Sequence, residues 1–233
     1  MPPTPLLVLW DVDHTLIDGA GISRQAYSAA FRRATGRELD QPWQFDGRTE
    51  LAAATDVLRA HGLPTGDGQV EAFTALIVEE LTARADELAG AGRVLPGAEE
   101  ILTALGALPG VSQSVLTGNL YPLAVLKMTV FGLAHHVDFR IGAYGGDAFE
   151  RTALPCYAFD RTERHLGHRH SGADTVIIGD TLRDVATAHA VGARAVAVAT
   201  GTTPATALAA AGADAVLTDL TDTAAVLAAV TGR

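Results

Sequence analysis

The chain has 233 residues and a formal net charge of −10, from 17 basic and 27 acidic side chains. This length suits one large domain, or a domain with an insertion. The acidic balance argues against binding to nucleic acid or to an anionic membrane surface. The single cysteine, Cys156, excludes an internal disulfide, and no apolar run reaches membrane-spanning length. We therefore expect a cytoplasmic protein, either a monomer or a homodimer.

The first predicted element is a short apolar run that ends in two carboxylates. Residues 6–10 are rich in Leu and Val, which predicts a strand buried on both faces. Asp11 and Asp13 follow where this strand leaves the sheet, and the carboxyl edge of a parallel sheet is where ligands bind. Two acids this close repel each other unless a cation lies between them or one keeps its proton. The alternative is that Asp13 and Thr15 only cap the next helix.

The segment after this strand is predicted to be purely helical. Apolar residues recur at helical spacing over residues 23–35, 50–61 and 70–88, and a glycine-rich loop follows at residues 90–97. We therefore predict a helical cap subdomain at residues 18–92, inserted into a core made of residues 1–17 and 93–233. Trp43 and Phe45 are expected in the core of the cap.

From residue 96 onward, predicted helices and strands alternate. The strands are expected at 112–116, 139–142, 175–178, 195–199 and 215–217, and the helices at 98–108, 121–131, 154–166, 184–191, 204–211 and 223–230. Such alternation implies crossover connections and a mostly parallel sheet. The predicted fold class is α/β, with a doubly wound, Rossmann-like core and an inserted α-helical cap.

Several of these strands end in polar side chains, and the carboxyl ends of parallel strands share one edge of the sheet. Asp184 would enter the next helix on its first turn and lean back toward the same edge. Oxygen ligands of this kind suit Mg²⁺, which keeps waters and takes further ligands from a phosphate. The side chains expected to meet there are Asp11, Asp13, Thr117, Asn119, Asp180 and Asp184.

These motifs resemble those of the haloacid dehalogenase superfamily of aspartate-nucleophile hydrolases. DVDHTL at residues 11–16 is similar to the first motif, LTGN at 116–119 to the second, and IIGDTLRD at 177–184 to the fourth. The order and spacing match over almost the whole chain. The helical insertion resembles the cap of the phosphoglycolate phosphatase and β-phosphoglucomutase branch. The resemblance implies a Mg²⁺-dependent phosphatase that hydrolyses a small phosphorylated metabolite through an aspartyl-phosphate.

The same resemblance implies a role for each motif residue. Asp11 would be the nucleophile, and Asp13 the general acid and then the general base. The metal ligands would be Asp11, the Asp13 carbonyl and Asp180, with Asp184 as a further ligand or its partner. Thr117 and the Gly118 amide would hold phosphate oxygens, with Asn119 nearby.

The cation that faces the phosphate has two candidates. Many relatives use a Lys-Pro pair after the third strand, but residues 147–152 contain no lysine and offer only Arg151. Lys127 is the only lysine of the chain and lies on the helix after Thr117, on the order of 10 Å from the helix start. Because long helical side chains point back toward the N-terminal end, we favour Lys127, with Arg151 as the alternative.

Six further positions need interpretation, and two of them, Arg48 and His14, are open to two readings each. Arg48 either binds a second anionic group of the substrate or is solvated beside a capping Thr49. His14 stands where the family usually has a small glycine, and either borders the substrate or only shapes the loop. The histidines at 165, 168 and 170 are expected in a solvated helix end and loop rather than in a metal site. Cys156 is expected to be a small buried hydrophobe.

Other functions compete with the phosphatase. A phosphomutase would pass the phosphoryl group to a sugar hydroxyl instead of water. A 2-haloacid dehalogenase needs neither metal nor general acid, so Asp13, Asp180 and Asp184 argue against it. A phosphoacceptor signalling domain also combines Asp, Thr and Lys on a doubly wound sheet, but the length and the helical insertion disfavour it. A binding protein without catalytic activity would be expected to lack a motif residue, and none of the three motifs is visibly broken.

Overall fold

The central element of the computed structural model, which describes residues 5–40 and 47–232, is a parallel sheet. Trp43 and Phe45 lie outside the described residues. The strands are β1 (Leu6–Trp10), β4 (Val111–Val115), β5 (Thr175–Gly179), β6 (Arg194–Val198) and β7 (Ala215–Leu217). Their order is β4-β1-β5-β6-β7, and every neighbouring pair is parallel. A short antiparallel ladder joins β2 (Ile17–Asp18) to β3 (Arg93–Val94).

Helices cover both faces of the sheet. Successive side chains of β1 point to opposite faces, so each face contributes apolar residues to its own core. Val8 and Trp10 belong to one apolar core and Leu7 and Leu9 to the other, and all four are fully buried. The helices packed around the sheet are α5 (Ala98–Gly106), α6 (Tyr121–Val130), α7 (Leu154–Leu166), α8 (Leu182–Val191), α9 (Ala205–Ala210) and α10 (Thr223–Thr231). The predicted α/β class with a doubly wound sheet is confirmed.

The chain between β2 and β3 forms four helices among the described residues. They are α1 (Ile22–Thr35), α2 (Glu50–Ala60), α3 (Asp67–Thr82) and α4 (Ala85–Ala91). Phe31 and Phe73 belong to an apolar core that these helices share with Leu123 of α6. The single predicted helix at 70–88 is wrong, because Arg84 leaves helical geometry (φ −104°, ψ 17°) and divides α3 from α4. The chain enters and leaves these helices at one place, the β2–β3 ladder.

Two local predictions are wrong for identifiable reasons. Phe139–Ile141 is a 3₁₀ turn and not a strand, because the Asp138 side chain accepts a hydrogen bond from the Arg140 amide at 3.0 Å and caps the turn. Cys156 is exposed. It lies on the side of α7 opposite the buried Leu154 and Ala158. Among the described residues, no helix has both the length and the apolarity to cross a membrane.

Candidate active site

Three buried carboxylates converge at the carboxyl edge of the sheet. Asp11 follows β1 and Asp180 follows β5, while Asp184 lies in the first turn of α8. One oxygen from each carboxylate lies within 4.8 Å of the others. Asp11 is only 5% exposed, and its Oδ1 accepts a 2.8 Å hydrogen bond from the Val12 amide. Parallel strand ends thus bring distant residues together, as the motif order predicted.

Asp184 and Asp180 differ in how far their oxygens are already engaged. Asp184 forms a capping box with Thr181, whose amide and hydroxyl donate to Oδ2 at 3.0 and 2.6 Å. Asp180 accepts one long side-chain bond, 3.3 Å from the Thr15 hydroxyl. Gly201 lies so close that a Cβ there would stand 1.8 Å from Asp180 Oδ2. The carboxylate of Asp180 therefore accepts fewer hydrogen bonds than that of Asp184, and its Oδ2 lies against the backbone of Gly201.

The three carboxylates repel one another, and because they are buried, water screens this repulsion only weakly. Burial raises the pKa of Asp11 to about 6, with Arg151 opposing the shift and Asp184 adding to it. Burial, then Asp11 and Asp184, raise the pKa of Asp180 to about 8. A carboxylate cluster with raised pKa values is stabilised by any cation that enters it.

Arg151 already supplies one positive charge to this cluster. It lies on a 3₁₀ turn, Arg151–Ala153, and is 6% exposed. Its Nη2 is 3.2 Å from Asp11 Oδ2 and 2.5 Å from Asp184 Oδ1, and it donates to the Leu116 carbonyl at 3.3 Å. Its Nε has no hydrogen-bond partner among the described residues. The residue that the sequence offered as the alternative cation is therefore the one that contacts Asp11.

Lys127 makes a different contact. It is 2% exposed, and its Nζ lies 2.7 and 2.9 Å from the two oxygens of Asp13 and 2.7 Å from Asn119 Oδ1. Asn119 Nδ2 donates to Asp13 at 2.8 Å and to the Thr117 hydroxyl at 2.8 Å. Burial opposes ionisation of Asp13, but Lys127 and Asn119 outweigh it and lower the Asp13 pKa below its usual value. Asp13 is therefore an ionised, hydrogen-bonded carboxylate at neutral pH.

A pocket lies between these strand ends and the inserted helices. His14, at its edge, is an exposed residue with a left-handed backbone (φ 60°), a conformation that glycine adopts more readily. Arg48 lines the pocket, and its Nη2 is paired with Asp56 Oδ2 at 2.5 Å. Thr49 caps α2 as expected, since its hydroxyl accepts from the Ala52 amide at 3.3 Å. Arg48 is 25% exposed, so it is neither fully solvated nor committed to an active-site group.

Glu50 is a pocket residue that the sequence did not single out. It sits in the first turn of α2, and burial raises its pKa to about 7, although Lys127 opposes the shift. Acids in the first helical turn are common capping residues, so the sequence carries no signal for this second role. Ser23 also lines the pocket, and its Oγ is buried without a hydrogen-bond partner among the described residues.

The start of α2 is bonded to the core through the main chain. The Glu50 amide donates to the Gly118 carbonyl at 2.8 Å, and the Leu51 amide to the Gly145 carbonyl at 3.1 Å. Both glycines are required here, because a Cβ at Gly118 would stand 1.9 Å from the Arg48 carbonyl and one at Gly145 would stand 1.7 Å from the Gly118 carbonyl. The inserted helices therefore close directly over Thr117 and Gly118.

Comparisons with known proteins show which fold the chain has and which family model matches part of it. A family model described as HAD-hydrolase-like matches residues 154–223. None of the curated proteins matches the chain by sequence. A predicted phosphatase from Clostridium acetobutylicum shares the fold with a TM-score of 0.72, at 20% identity over 97% of this chain and 99% of that one.

Two further solved structures show the same fold. A predicted phosphoglycolate phosphatase from Haemophilus somnus has a TM-score of 0.67 at 17% identity, over 96% of this chain and 98% of that one. CbbY from Rhodobacter sphaeroides, in complex with phosphate, has a TM-score of 0.71 at 17% identity, over 94% and 96% of the two chains. The resemblance predicted from the motifs is confirmed to this extent: the chain shares the fold of these solved structures, and residues 154–223 match the HAD-hydrolase-like family model.

Proposed function

We propose that this haloacid dehalogenase-like chain is a Mg²⁺-dependent phosphatase that hydrolyses a small phosphate monoester through an aspartyl-phosphate on Asp11. One observation carries the proposal. Asp11 is buried at the carboxyl edge of the sheet, beside the Arg151 guanidinium and close to the other two carboxylates of the cluster. A buried carboxylate with a cation beside it is suited to attack phosphorus.

The donor set fits Mg²⁺. Asp11 and Asp180 have raised pKa values, and oxygen donors at this spacing match the preference of Mg²⁺ for carboxylates and phosphate. Asp11, Asp180 and the Asp13 carbonyl would hold the ion. Asp184 would support the site without binding the ion directly, since both of its oxygens already accept hydrogen bonds. When bound, Mg²⁺ screens the repulsion between the Asp11 carboxylate and an anionic phosphate.

The chain supplies the remaining phosphate contacts. Arg151 Nη2 lies between Asp11 and Asp184, where it can neutralise charge on the transferring group. The Thr117 hydroxyl accepts two bonds from Asn119 and donates to none of the described residues, so its proton is available for a phosphate oxygen. In this proposal Arg151 is the phosphate-facing cation. Lys127 then sets the state of Asp13.

Proton transfer falls to Asp13. The bond from phosphorus to the ester oxygen breaks as Asp11 attacks, and the leaving oxygen needs a proton. To donate it, Asp13 must first gain a proton from solvent against the field of Lys127, so a poor leaving group reacts slowly. In the second half-reaction the ionised Asp13 accepts a proton from water, which attacks phosphorus and frees Asp11. The pairing with Lys127 favours this second role.

Residues 18–92 would act as the cap that selects the leaving group. Arg48, Glu50 and His14 line the same pocket as Asp11. Arg48 would meet a second anionic group if the Arg48–Asp56 pair exchanges partners. Both ends of the insertion join the core at the β2–β3 ladder.

The test is hydrolysis of p-nitrophenyl phosphate and of a panel of phosphorylated metabolites, with Mg²⁺ and with chelator. Turnover should require Mg²⁺ and disappear in Asp11→Asn, whose unchanged circular dichroism would show an intact fold. Turnover by Asp11→Asn, or turnover without any divalent ion, would contradict the proposal. Release of halide from 2-haloacids would point to the dehalogenase, and isomerisation of a sugar phosphate without phosphate release to the mutase.

A further inference from the structure

Three side chains with metal-binding chemistry converge at the opposite edge of the sheet from the active site. His168 and His170 follow α7, and Asp174 directly precedes β5. Asp180 follows the other end of the same strand, six residues later and on the order of 20 Å away. The convergence is independent of the proposed phosphatase function.

The expectation of a solvated loop is wrong for His170, which is 3% exposed. The chain between α7 and β5 folds back onto α7, and the His170 amide lies 3.3 Å from the Thr162 hydroxyl, to which it donates. The His168 and His170 rings are 4.8 Å apart at 82°, so their nitrogens can face a common point. Sequence spacing alone does not reveal this, because the fold-back depends on packing against α7.

Both imidazoles face the same oxygen. His168 Nε2 lies 3.3 Å and His170 Nδ1 2.9 Å from Asp174 Oδ2. His170 Nδ1 is buried and makes no hydrogen bond of acceptable geometry to any described residue, despite this short distance. The donor atoms of a tetrahedral Zn²⁺ site, at about 2.0–2.2 Å from the ion, stand roughly 3.4 Å apart. The observed spacings are close to that edge length.

Asp174 is held in position by a separate set of bonds. Its Oδ1 accepts from the Ser171 amide at 2.6 Å and from the Ser171 hydroxyl at 2.9 Å, in a capping box. Oδ2 is thereby aimed at the two histidines. A ligand oriented by a neighbouring hydrogen bond is the usual arrangement behind a metal site.

We propose that His168, His170 and Asp174 form a binding site for a divalent transition-metal ion of the Zn²⁺ type. Two imidazoles and a carboxylate suit Zn²⁺, Co²⁺ or Ni²⁺ and do not suit Mg²⁺. Three protein ligands leave one tetrahedral position for water. The ion would fasten the loop at residues 167–174 to the start of β5 and so stabilise the core far from the catalytic carboxylates.

The test is a titration with Co²⁺ and Zn²⁺ of full-length protein that retains no polyhistidine tag, in saturating Mg²⁺. Asp180→Asn serves as a second background, so that the catalytic carboxylates do not contribute. Visible bands of tetrahedral Co²⁺ and one bound equivalent of Zn²⁺ should appear in both backgrounds. Bound Zn²⁺ should also raise Tm by mass action.

The variants separate this site from its neighbours. His168→Ala changes an exposed residue, so the fold should survive while the bands and the Zn²⁺-dependent rise in Tm are lost. Ser171→Ala should weaken binding by up to roughly 10-fold, because it removes the hydroxyl that helps the Ser171 amide to orient Asp174. His165→Ala is the matched control and should bind normally. Binding that persists in His168→Ala, binding lost equally in His165→Ala, or no Co²⁺ bands at all would overturn the proposal.

Discussion

The guanidinium of Arg151 lies 3.2 Å from a carboxylate oxygen of Asp11, while the only lysine of the chain, Lys127, is bonded to Asp13. Each catalytic candidate therefore has its own cation. In the proposed mechanism, Arg151 offsets the charge on the attacking carboxylate and on the phosphate. Lys127 lowers the pKa of Asp13, the proposed proton-transfer group.

Arg151→Met should lower kcat by on the order of 10²–10³-fold, the usual cost of removing a group that stabilises transition-state charge. The substitution also leaves Asp11 and Asp184 facing each other without their shared cation. Steady-state kinetics with p-nitrophenyl phosphate measure the effect. Arg169→Met is the control, because Arg169 is half-exposed and pairs only with Asp160 and Glu163. Equal kinetics for the two variants would show that Arg151 does not contribute to catalysis.

Lys127→Met should move the acidic limb of the pH–rate profile to higher pH. Lys127 lowers the Asp13 pKa, so its removal raises that pKa, and Asp13 stays protonated to a higher pH. The base step requires the ionised form, so activity lost at low pH should return at neutral or alkaline pH. A profile that drops uniformly at every pH would mean that Lys127 acts on phosphate and not on Asp13.

Asp13→Asn should separate the two half-reactions. p-Nitrophenolate leaves without help from an acid, so Asp11 should still be phosphorylated, but the water that frees it lacks its base. We expect a burst of one equivalent of p-nitrophenolate followed by slow turnover. Rapid quenching and mass spectrometry should find the phosphate on Asp11. Slow turnover with no burst would show that Asp13 is needed before phosphorylation.

The metal-free protein should lose stability as the pH rises from about 4 to about 8. The folded-state pKa of Asp180 is raised to about 8, so between these limits the folded state holds a proton that the unfolded state has released. Fewer protons bound in the unfolded state mean that the free energy of unfolding falls with pH. Thermal melts across this range should show the slope, and Mg²⁺ or Asp180→Asn should flatten it. A Tm that rises over the range in chelator would contradict the raised pKa.

Gly201→Ala should weaken the response to Mg²⁺ with little effect on folding. The new Cβ would fall 1.8 Å from Asp180 Oδ2, so the carboxylate must swing away. A displaced ligand costs at least as much as a lost outer partner, roughly 10–100-fold in the Mg²⁺ concentration for half-maximal activity. Gly90→Ala is the control, since a Cβ there meets no described atom within 4 Å. Matching Mg²⁺ curves would show that Asp180 does not hold the ion.

The strand ends could be predicted from the sequence because parallel topology forces them together. Asp11 and Asp180 each end an apolar run and Thr117 follows a short predicted strand, and no tertiary detail is needed to place them at one edge. The choice between Lys127 and Arg151 could not be made in this way. Arg151 reaches Asp11 from a 3₁₀ turn whose direction depends on packing against α8, and turns of that kind leave no periodic signal.

The sequence also could not predict which side chains of the inserted helices face the pocket. Glu50 and Ser23 face the cavity because α1 and α2 pack around Phe31 and Phe73, and the amphipathic pattern fixes only which side is apolar. His170 is buried for a similar reason, since the loop that carries it folds back on α7.

The hydrogen bonds from α2 to Gly118 and Gly145 use amides and carbonyls only. Every amino acid except proline carries the same amide, so substitutions at Glu50 or Leu51 leave these two bonds in place. Selection for a new substrate can therefore change the pocket-facing side chains of the helix without rebuilding its docking. Gly118 and Gly145 cannot be substituted in the same way, because a Cβ at either position would clash with neighbouring backbone.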